Sequence, residues 1–156
     1  MRRSSTDHNY LRLILISIFL VLYQILSSLY TFMPLFIGLF FCYIIINFKN
    51  ENSKLYVYLS FAYLSVYDLD KGFYLFSSIV FLLLFYSLFV ERIRNFFTCS
   101  NCILAIYVTS AYLGHFVLNV FISYILNQDR PMFSQEYFYY IIFDIILATI
   151  LFKGRV

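Results

Sequence analysis

Among the polar side chains inside the long apolar runs of this sequence are His115, Asn119 and Asp144. His115 and Asn119 are four residues apart, a spacing that places both on one face of a helix. If these runs lie in a membrane, an ionisable group among them costs about 2.5–3.5 kcal/mol, so it should face the protein interior and have a partner. Because His115 and Asp144 fall near the midpoints of their runs, we expect the three residues to form one polar cluster.

Two interpretations of this cluster are open. A histidine and an aspartate at the same depth in a membrane are typical of a proton- or ligand-binding site. Such a pair also serves as a polar contact between neighbouring helices, worth about 0.6 kcal/mol per hydrogen bond. A proton relay usually needs more groups than one histidine and one aspartate. We therefore favour the interpretation that the pair is a polar contact between helices.

Cys99 and Cys102 form a single C-x-x-C pair. A structural zinc site requires four ligands, and the sequence offers no second pair that would complete one. The chain has three cysteines, an odd number that indicates no disulfide framework. We interpret the pair as fortuitous and expect no metal site.

Motifs of known catalytic mechanisms are missing from the sequence. It contains no G-x-S-x-G, no H-E-x-x-H and no glycine-rich phosphate loop, and the whole chain has only four glycines and two histidines. We therefore expect no enzyme, and we predict no catalytic, cofactor-binding or metal-binding residues.

The composition indicates an integral membrane protein. Of 156 residues, 63% are hydrophobic and 12% are charged, and the mean hydropathy is +0.83. Soluble domains carry about a quarter charged residues. The net charge of +3 comes from basic residues in short clusters between apolar runs, a pattern that excludes a nucleic-acid-binding face.

Apolar runs separated by short polar segments predict a single all-α domain over residues 1–156, a compact bundle of about six transmembrane helices. A span requires about 20 residues, and three of the runs are shorter. Five spans with one re-entrant segment is therefore the alternative. The predicted spans are 10–30, 33–48, 55–67, 73–90, 103–126 and 137–152. Tyr137, Tyr139 and Tyr140, at the start of the last span, predict an aromatic belt at the membrane surface.

The distribution of basic residues predicts the orientation. With six spans and a cytoplasmic N-terminus, all but two of the 11 Lys and Arg residues fall on the cytoplasmic side. The exceptions are Lys71 and Arg130. We expect an uncleaved first span, both termini in the cytoplasm, and a multi-pass protein of the bacterial inner membrane.

A short polar segment, Asp68 to Leu75, joins the third and fourth runs. Gly72 tolerates a positive φ, and Asp68 or Asp70 can cap the free N–H groups that open the next helix. Because the preceding run is short, we expect this turn to be recessed into the outer leaflet.

The same segment resembles the D-L-x-x-G-x-x-L-G pattern of the rod shape-determining protein MreD family. Asp68, Leu69, Gly72 and Leu75 match the pattern, and Phe76 stands where the pattern ends in glycine. Members of this family are small bacterial inner-membrane proteins of similar length with about six spans. The similar layout extends over most of the chain and includes Arg130-Pro131 before the last span.

This resemblance implies a non-catalytic scaffold subunit of the elongasome, the machinery of cell shape and peptidoglycan synthesis. Its partners would be an MreC-type protein and, through it, MreB, RodA and a class B penicillin-binding protein, besides membrane lipid. Two other hypotheses remain. One is a small substrate-binding subunit of an energy-coupling transporter, which His115 and Asp144 would suit. The other is an assembly factor for a different envelope complex.

Overall fold

The structure, a computed structural model, describes residues 5–30, 32–48, 50, 53–129, 131–132 and 134–152. These residues form six helices, and no strand occurs among them, so the all-α prediction is confirmed. The helices are α1 (Ser5–Leu29), α2 (Ile37–Asn47), α3 (Lys54–Asp70), α4 (77–96), α5 (Ser100–Leu126) and α6 (Glu136–Phe152). Within α4, a π-helical turn, Tyr86–Val90, separates Ser77–Phe85 from Glu91–Phe96.

Helix α5 is the longest described element and packs against α2, α4 and α6. With 27 residues and a mean hydropathy of 1.6 over its most apolar window, it alone among the described helices is long and apolar enough to cross a membrane. The central helix of a soluble protein can meet the same criterion. The length of α5 therefore does not by itself establish insertion into a membrane.

Glycine allows α2 to approach α5 and α6 closely. A Cβ atom on Gly38 would lie 2.6 Å from Cγ1 of Val108 and 3.1 Å from Oδ2 of Asp144. A Cβ atom on Gly114 would likewise collide with the ring of Phe81 on α4. At these two positions a side chain could be accommodated only if the neighbouring side chains moved.

The outward faces of three helices are apolar. Large hydrophobic side chains on α1, α5 and α6 are about two-thirds exposed, among them Leu15, Phe19, Val117, Phe121 and Ile150. Soluble proteins usually expose such residues singly. Here they recur along the same helices, so these faces require an apolar environment or partner.

Two helix boundaries differ from the predicted spans in ways that affect the site. Helix α3 continues to Asp70, so Asp68 lies in its last turn and not in a loop after residue 67. Helix α4 begins at Ser77 and not at residue 73, because Phe76 has φ 65° and interrupts the helical path. Helix α4 also continues beyond residue 90, where the predicted span ends, through the charged segment 91–95 to Phe96.

Candidate functional site

Asp68 is fully buried and caps the N-terminus of α4. Its Oδ2 accepts hydrogen bonds from the backbone nitrogen of Ser78 over 3.0 Å and from Oγ of Ser78 over 2.8 Å. A carboxylate at this position satisfies a free N–H group and interacts favourably with the positive end of the helix dipole. Asp70, the other capping candidate, instead accepts from Gln24 over 3.2 Å and pairs with Lys71 over 3.6 Å.

His115 joins Asp68 and the start of α4 to the middle of α5. Its Nε2 lies 2.8 Å from Oγ of Ser77 and 3.2 Å from Oδ1 of Asp68. Asn119 donates from Nδ2 to Ser77 Oγ over 3.1 Å and to the backbone oxygen of His115 over 2.9 Å. Its Oδ1 accepts from the backbone nitrogen of Tyr74 over 3.2 Å. We call Asp68, Tyr74, Ser77, Ser78, His115 and Asn119 the α4-cap network.

Ser77, His115 and Asp68 are the residue types of a hydrolytic triad, but they are not arranged as one. In a triad the histidine contacts serine with one ring nitrogen and aspartate with the other. Here both oxygens face Nε2 of His115, so the ring cannot relay a proton between them. Although Asp68 Oδ1 lies 3.2 Å from Nε2, the alignment is not that of a hydrogen bond. The geometry suits a connection between helices.

Asp144 lies in a second, separate polar contact. It is fully buried, and its Oδ2 accepts from the backbone nitrogen of Gly38 over 2.9 Å and from Oη of Tyr112 over 2.8 Å. No described hydrogen bond joins Asp144 to His115 or Asn119. Of the three residues predicted to form one cluster, His115 and Asn119 lie together, whereas Asp144 is separate, because the α5 side chain that reaches it is Tyr112, one turn before His115.

Helices α2 and α4 begin in the same way. Each follows a phenylalanine in the left-handed region: Phe36 with φ 54° and Phe76 with φ 65°. Two residues later, at Gly38 and Ser78, a backbone N–H donates to the Oδ2 atom of a buried aspartate on another helix. The sequence carries a weak trace of this local repeat, because a Leu-Phe pair precedes both starts, at Leu35 and Leu75. This repeat was not predicted from the sequence.

The turn from α3 to α4 contains a Schellman motif. Phe73 donates its backbone N–H to the oxygen of Asp68 over 2.9 Å, and Gly72, with φ 69°, donates to the oxygen of Leu69. The left-handed residue of this motif is normally glycine. Asp68 and Gly72 thus shape the turn, whereas the side chains of Leu69 and Leu75 point outward, 65% and 49% exposed.

Phe76 explains why glycine would suit the last position of the D-L-x-x-G-x-x-L-G pattern. Its φ of 65° and ψ of 7° lie in the left-handed region, which costs a residue with a Cβ about 1–2 kcal/mol. Phe76 is therefore a departure from the pattern in residue type but keeps a glycine-like backbone.

A cavity of about 370 Å³ opens beside the α4-cap network. The turn after α3, the end of α5, the following loop and the start of α6 surround it. Its buried lining residues include Phe73, Asn119, Ser123, Tyr137 and Tyr140. Tyr74 and Pro131 are partly buried in the lining. Exposed residues line the outer part, namely Lys71, Gly72, Gln128, Asp129, Met132, Ser134 and Glu136.

The C-x-x-C pair has a structural role. Both thiols are exposed, and Sγ of Cys99 caps α5 by accepting the backbone N–H of Cys102 over 3.3 Å. Hydrogen bonds from the Cys102 thiol and backbone lower the pKa of Cys99 from its ordinary value. Within the described part of the chain, no group of three His, Cys, Asp or Glu side chains could hold a metal ion.

The tyrosines at the start of α6 do not form the predicted belt. Tyr137 and Tyr140 are buried, and only Tyr139 is exposed. Tyr137 and Tyr140 instead line the cavity. Of the predicted Arg130-Pro131 pair, Pro131 also lines it, and Arg130 lies outside the described residues. So do several basic residues on which the orientation depends: Arg2, Arg3, Lys49, Lys153 and Arg155.

Comparisons with protein families, with characterised proteins and with solved structures gave no match to this chain.

Proposed function

We propose that this chain is a non-catalytic, MreD-like scaffold subunit of the bacterial elongasome, which binds an MreC-type partner in the inner membrane. The main support for this proposal is the backbone conformation between α3 and α4. Both glycine positions of the D-L-x-x-G-x-x-L-G pattern have left-handed backbone here, with φ 69° at Gly72 and 65° at Phe76. The aspartate that opens the pattern, Asp68, caps the helix that follows it.

A second support is the way the buried polar groups are used. Asp68 and Asp144 each accept the N–H that opens a neighbouring helix, and His115 and Asn119 connect α5 to the α4 start. These contacts fix the positions of helices with respect to one another. A scaffold that presents a defined surface to partners requires such rigidity.

The proposal includes six crossings of the membrane with both termini in the cytoplasm. The apolar outward faces of α1, α5 and α6 and the basic residues of the sequence support it. Cys99, the N-cap of α5, and Cys102, in its first turn, are exposed on the proposed cytoplasmic side. A membrane-impermeant maleimide should label them only after cells are permeabilised, whereas D129C in the Cys99→Ser/Cys102→Ser background should be labelled in intact cells. Labelling of both sites from the same side would exclude this topology.

Depletion of the protein tests its role. Cells without it should become round and lose elongation-associated wall synthesis, and an MreC-type protein should co-purify with the wild-type chain. Asp68→Ala should fail to restore the rod shape at equal protein level, and the neighbouring variant Asp70→Ala should restore it. Rod-shaped depleted cells with normal wall synthesis would refute the proposal.

A substrate-binding subunit of a transporter is the second candidate, and the cavity of about 370 Å³ favours it. Small-molecule sites occupy about 300–1,000 Å³ and combine aromatic walls with a few polar groups. The two candidates differ in phenotype: loss of a transporter subunit should abolish uptake of one solute and leave cell shape intact.

A further inference from the structure

The cavity beside the α4-cap network combines an aromatic base with an acidic rim. Phe73, Tyr137 and Tyr140 are buried in its lining, and Tyr74 is partly buried there. Asp129 and Glu136 stand at the exposed edge. Aromatic faces attract cations through their quadrupole, and nearby carboxylates add direct charge attraction.

We propose that this cavity binds the ammonium group of a small organic ligand, with the cation against the aromatic rings and its N–H groups directed to Asp129 and Glu136. The described lining residues carry one positive and two negative formal charges. The single cation, Lys71, pairs with Asp70, which lies outside the lining, over 3.6 Å. Among the described lining residues, carboxylates therefore outnumber cations, which favours a cationic group over an anionic one.

Ser123 gives a second polar contact at the base of the cavity. It is 2% exposed and lines the cavity, and none of the described hydrogen bonds uses its hydroxyl. Its backbone oxygen already accepts from Gln128 over 3.0 Å. A hydroxyl at the wall of a cavity can donate a hydrogen bond to a ligand or accept one from it. A hydroxyl or ether oxygen next to the ammonium group, as in an amino alcohol, would pair with Ser123 in this way.

Two kinds of ligand could supply an ammonium group with a neighbouring oxygen: a free amino alcohol, or the ethanolamine headgroup of a phospholipid. The inference rests on the cavity and not on the proposed role in the elongasome. Loss of ammonium binding and loss of rod shape are separate measurements, so either can fail without the other.

Ligand-dependent thermal stability of the purified full chain in detergent tests the inference. Ethanolamine should raise the unfolding temperature in a saturable way, and ethylene glycol, its neutral analogue, should not at matched ionic strength. Glu136→Gln and Asp129→Asn should each weaken ethanolamine binding about tenfold, since each removes a charge-assisted hydrogen bond. Glu136→Gln keeps an acceptor for Oη of Tyr140, whose bond to Glu136 measures 3.4 Å. Glu91→Gln, an exposed acid on α4, is the matched control and should bind normally.

Nanodiscs separate the two sources. If the lipid headgroup is the ligand, discs of phosphatidylethanolamine should compete with added ethanolamine and discs of phosphatidylglycerol should not. If the ligand is free, both discs should give the same ethanolamine affinity. Equal stabilisation by ethanolamine and ethylene glycol, or full affinity in both acidic-residue variants with retained helicity, would overturn the inference.

Discussion

Oδ2 of Asp68 lies 3.0 Å from the backbone nitrogen of Ser78, and the two residues belong to consecutive helices separated by a tight turn. The carboxylate of α3 therefore completes the first turn of α4. Oδ2 of Asp144 stands in the same relation to Gly38 of α2, 106 residues away in sequence. Two helix starts inside the bundle thus depend on carboxylates supplied by other helices.

Removal of the Asp68 carboxylate should destabilise the protein. Asp68→Ala eliminates both bonds to Ser78 and should lower the free energy of unfolding by about 2 kcal/mol. Asp68→Asn retains an oxygen that can accept from the backbone nitrogen, so its effect should be smaller. Denaturant titration in detergent, followed by circular dichroism, measures both. Asp70→Ala is the control; an equal loss in that variant would show that capping is not the cause.

Replacement of Phe76 by glycine should stabilise the protein. Glycine relieves the left-handed strain but adds freedom to the unfolded chain, which leaves a net gain of about 0.5–1 kcal/mol. The Phe76 side chain is 51% exposed and has no described ring partner, so little packing is lost. Phe36, in contrast, stacks on Tyr23 with ring centroids 4.9 Å apart. Phe36→Gly should therefore be the less stable of the two variants, and the reverse order in thermal unfolding would contradict the assignment of strain.

The sequence was sufficient to predict the helical class, the glycine turn and the candidate capping aspartates. Each of these features has a local signal in the sequence. The signals are apolar runs of helical length, a glycine next to a charged turn, and an aspartate before a new run. The burial of His115 and Asp144 was also predictable, because an ionisable group in an apolar run should face the protein interior and have a polar partner there.

The partners of those residues were not predictable. Hydropathy gives the depth of a residue along a helix but not the rotation of that helix about its axis. A rotation that places His115 against Asp68 places Tyr112, three residues earlier, against Asp144. The cavity was equally hidden, since its lining comes from segments about 45 and 65 residues apart, such as Gly72, Asn119 and Tyr137.

The Tyr112–Asp144 contact should be measurable as a coupling energy. Tyr112→Phe removes a donor to a buried carboxylate and should cost about 1.5–3 kcal/mol. Asp144→Asn should be milder, because the amide oxygen can still accept from Tyr112 and from the backbone of Gly38. The double variant should lose less than the sum of the single losses. Tyr139→Phe, at an exposed tyrosine, should be neutral; additive effects at Tyr112 and Asp144 would argue against the contact.

Cys99 should react with alkylating reagents at lower pH than an ordinary thiol. Its pKa is lowered, mainly because the thiol of Cys102 donates a hydrogen bond to it. A lowered pKa increases the thiolate fraction at any pH below the ordinary value, and the thiolate is the reactive species. Cys102→Ala should therefore shift the pH profile of Cys99 alkylation upward, which iodoacetamide kinetics with mass spectrometry can follow. An unchanged profile in Cys102→Ala would show that the thiol of Cys102 does not act on Cys99.

The close approach of α2 to α5 predicts a specific pattern of rescue. Gly38→Ala would place its Cβ 2.6 Å from Cγ1 of Val108, so we expect a loss of about 1–3 kcal/mol in the free energy of unfolding. Val108→Ala removes that methyl group and should by itself cost about 1–2 kcal/mol through the small cavity it leaves. In the double variant the new methyl group enters the vacated space, and the total loss should fall below the sum of the two. Strictly additive losses in denaturant titration would mean that the new methyl group is obstructed elsewhere, for example by Oδ2 of Asp144 at 3.1 Å.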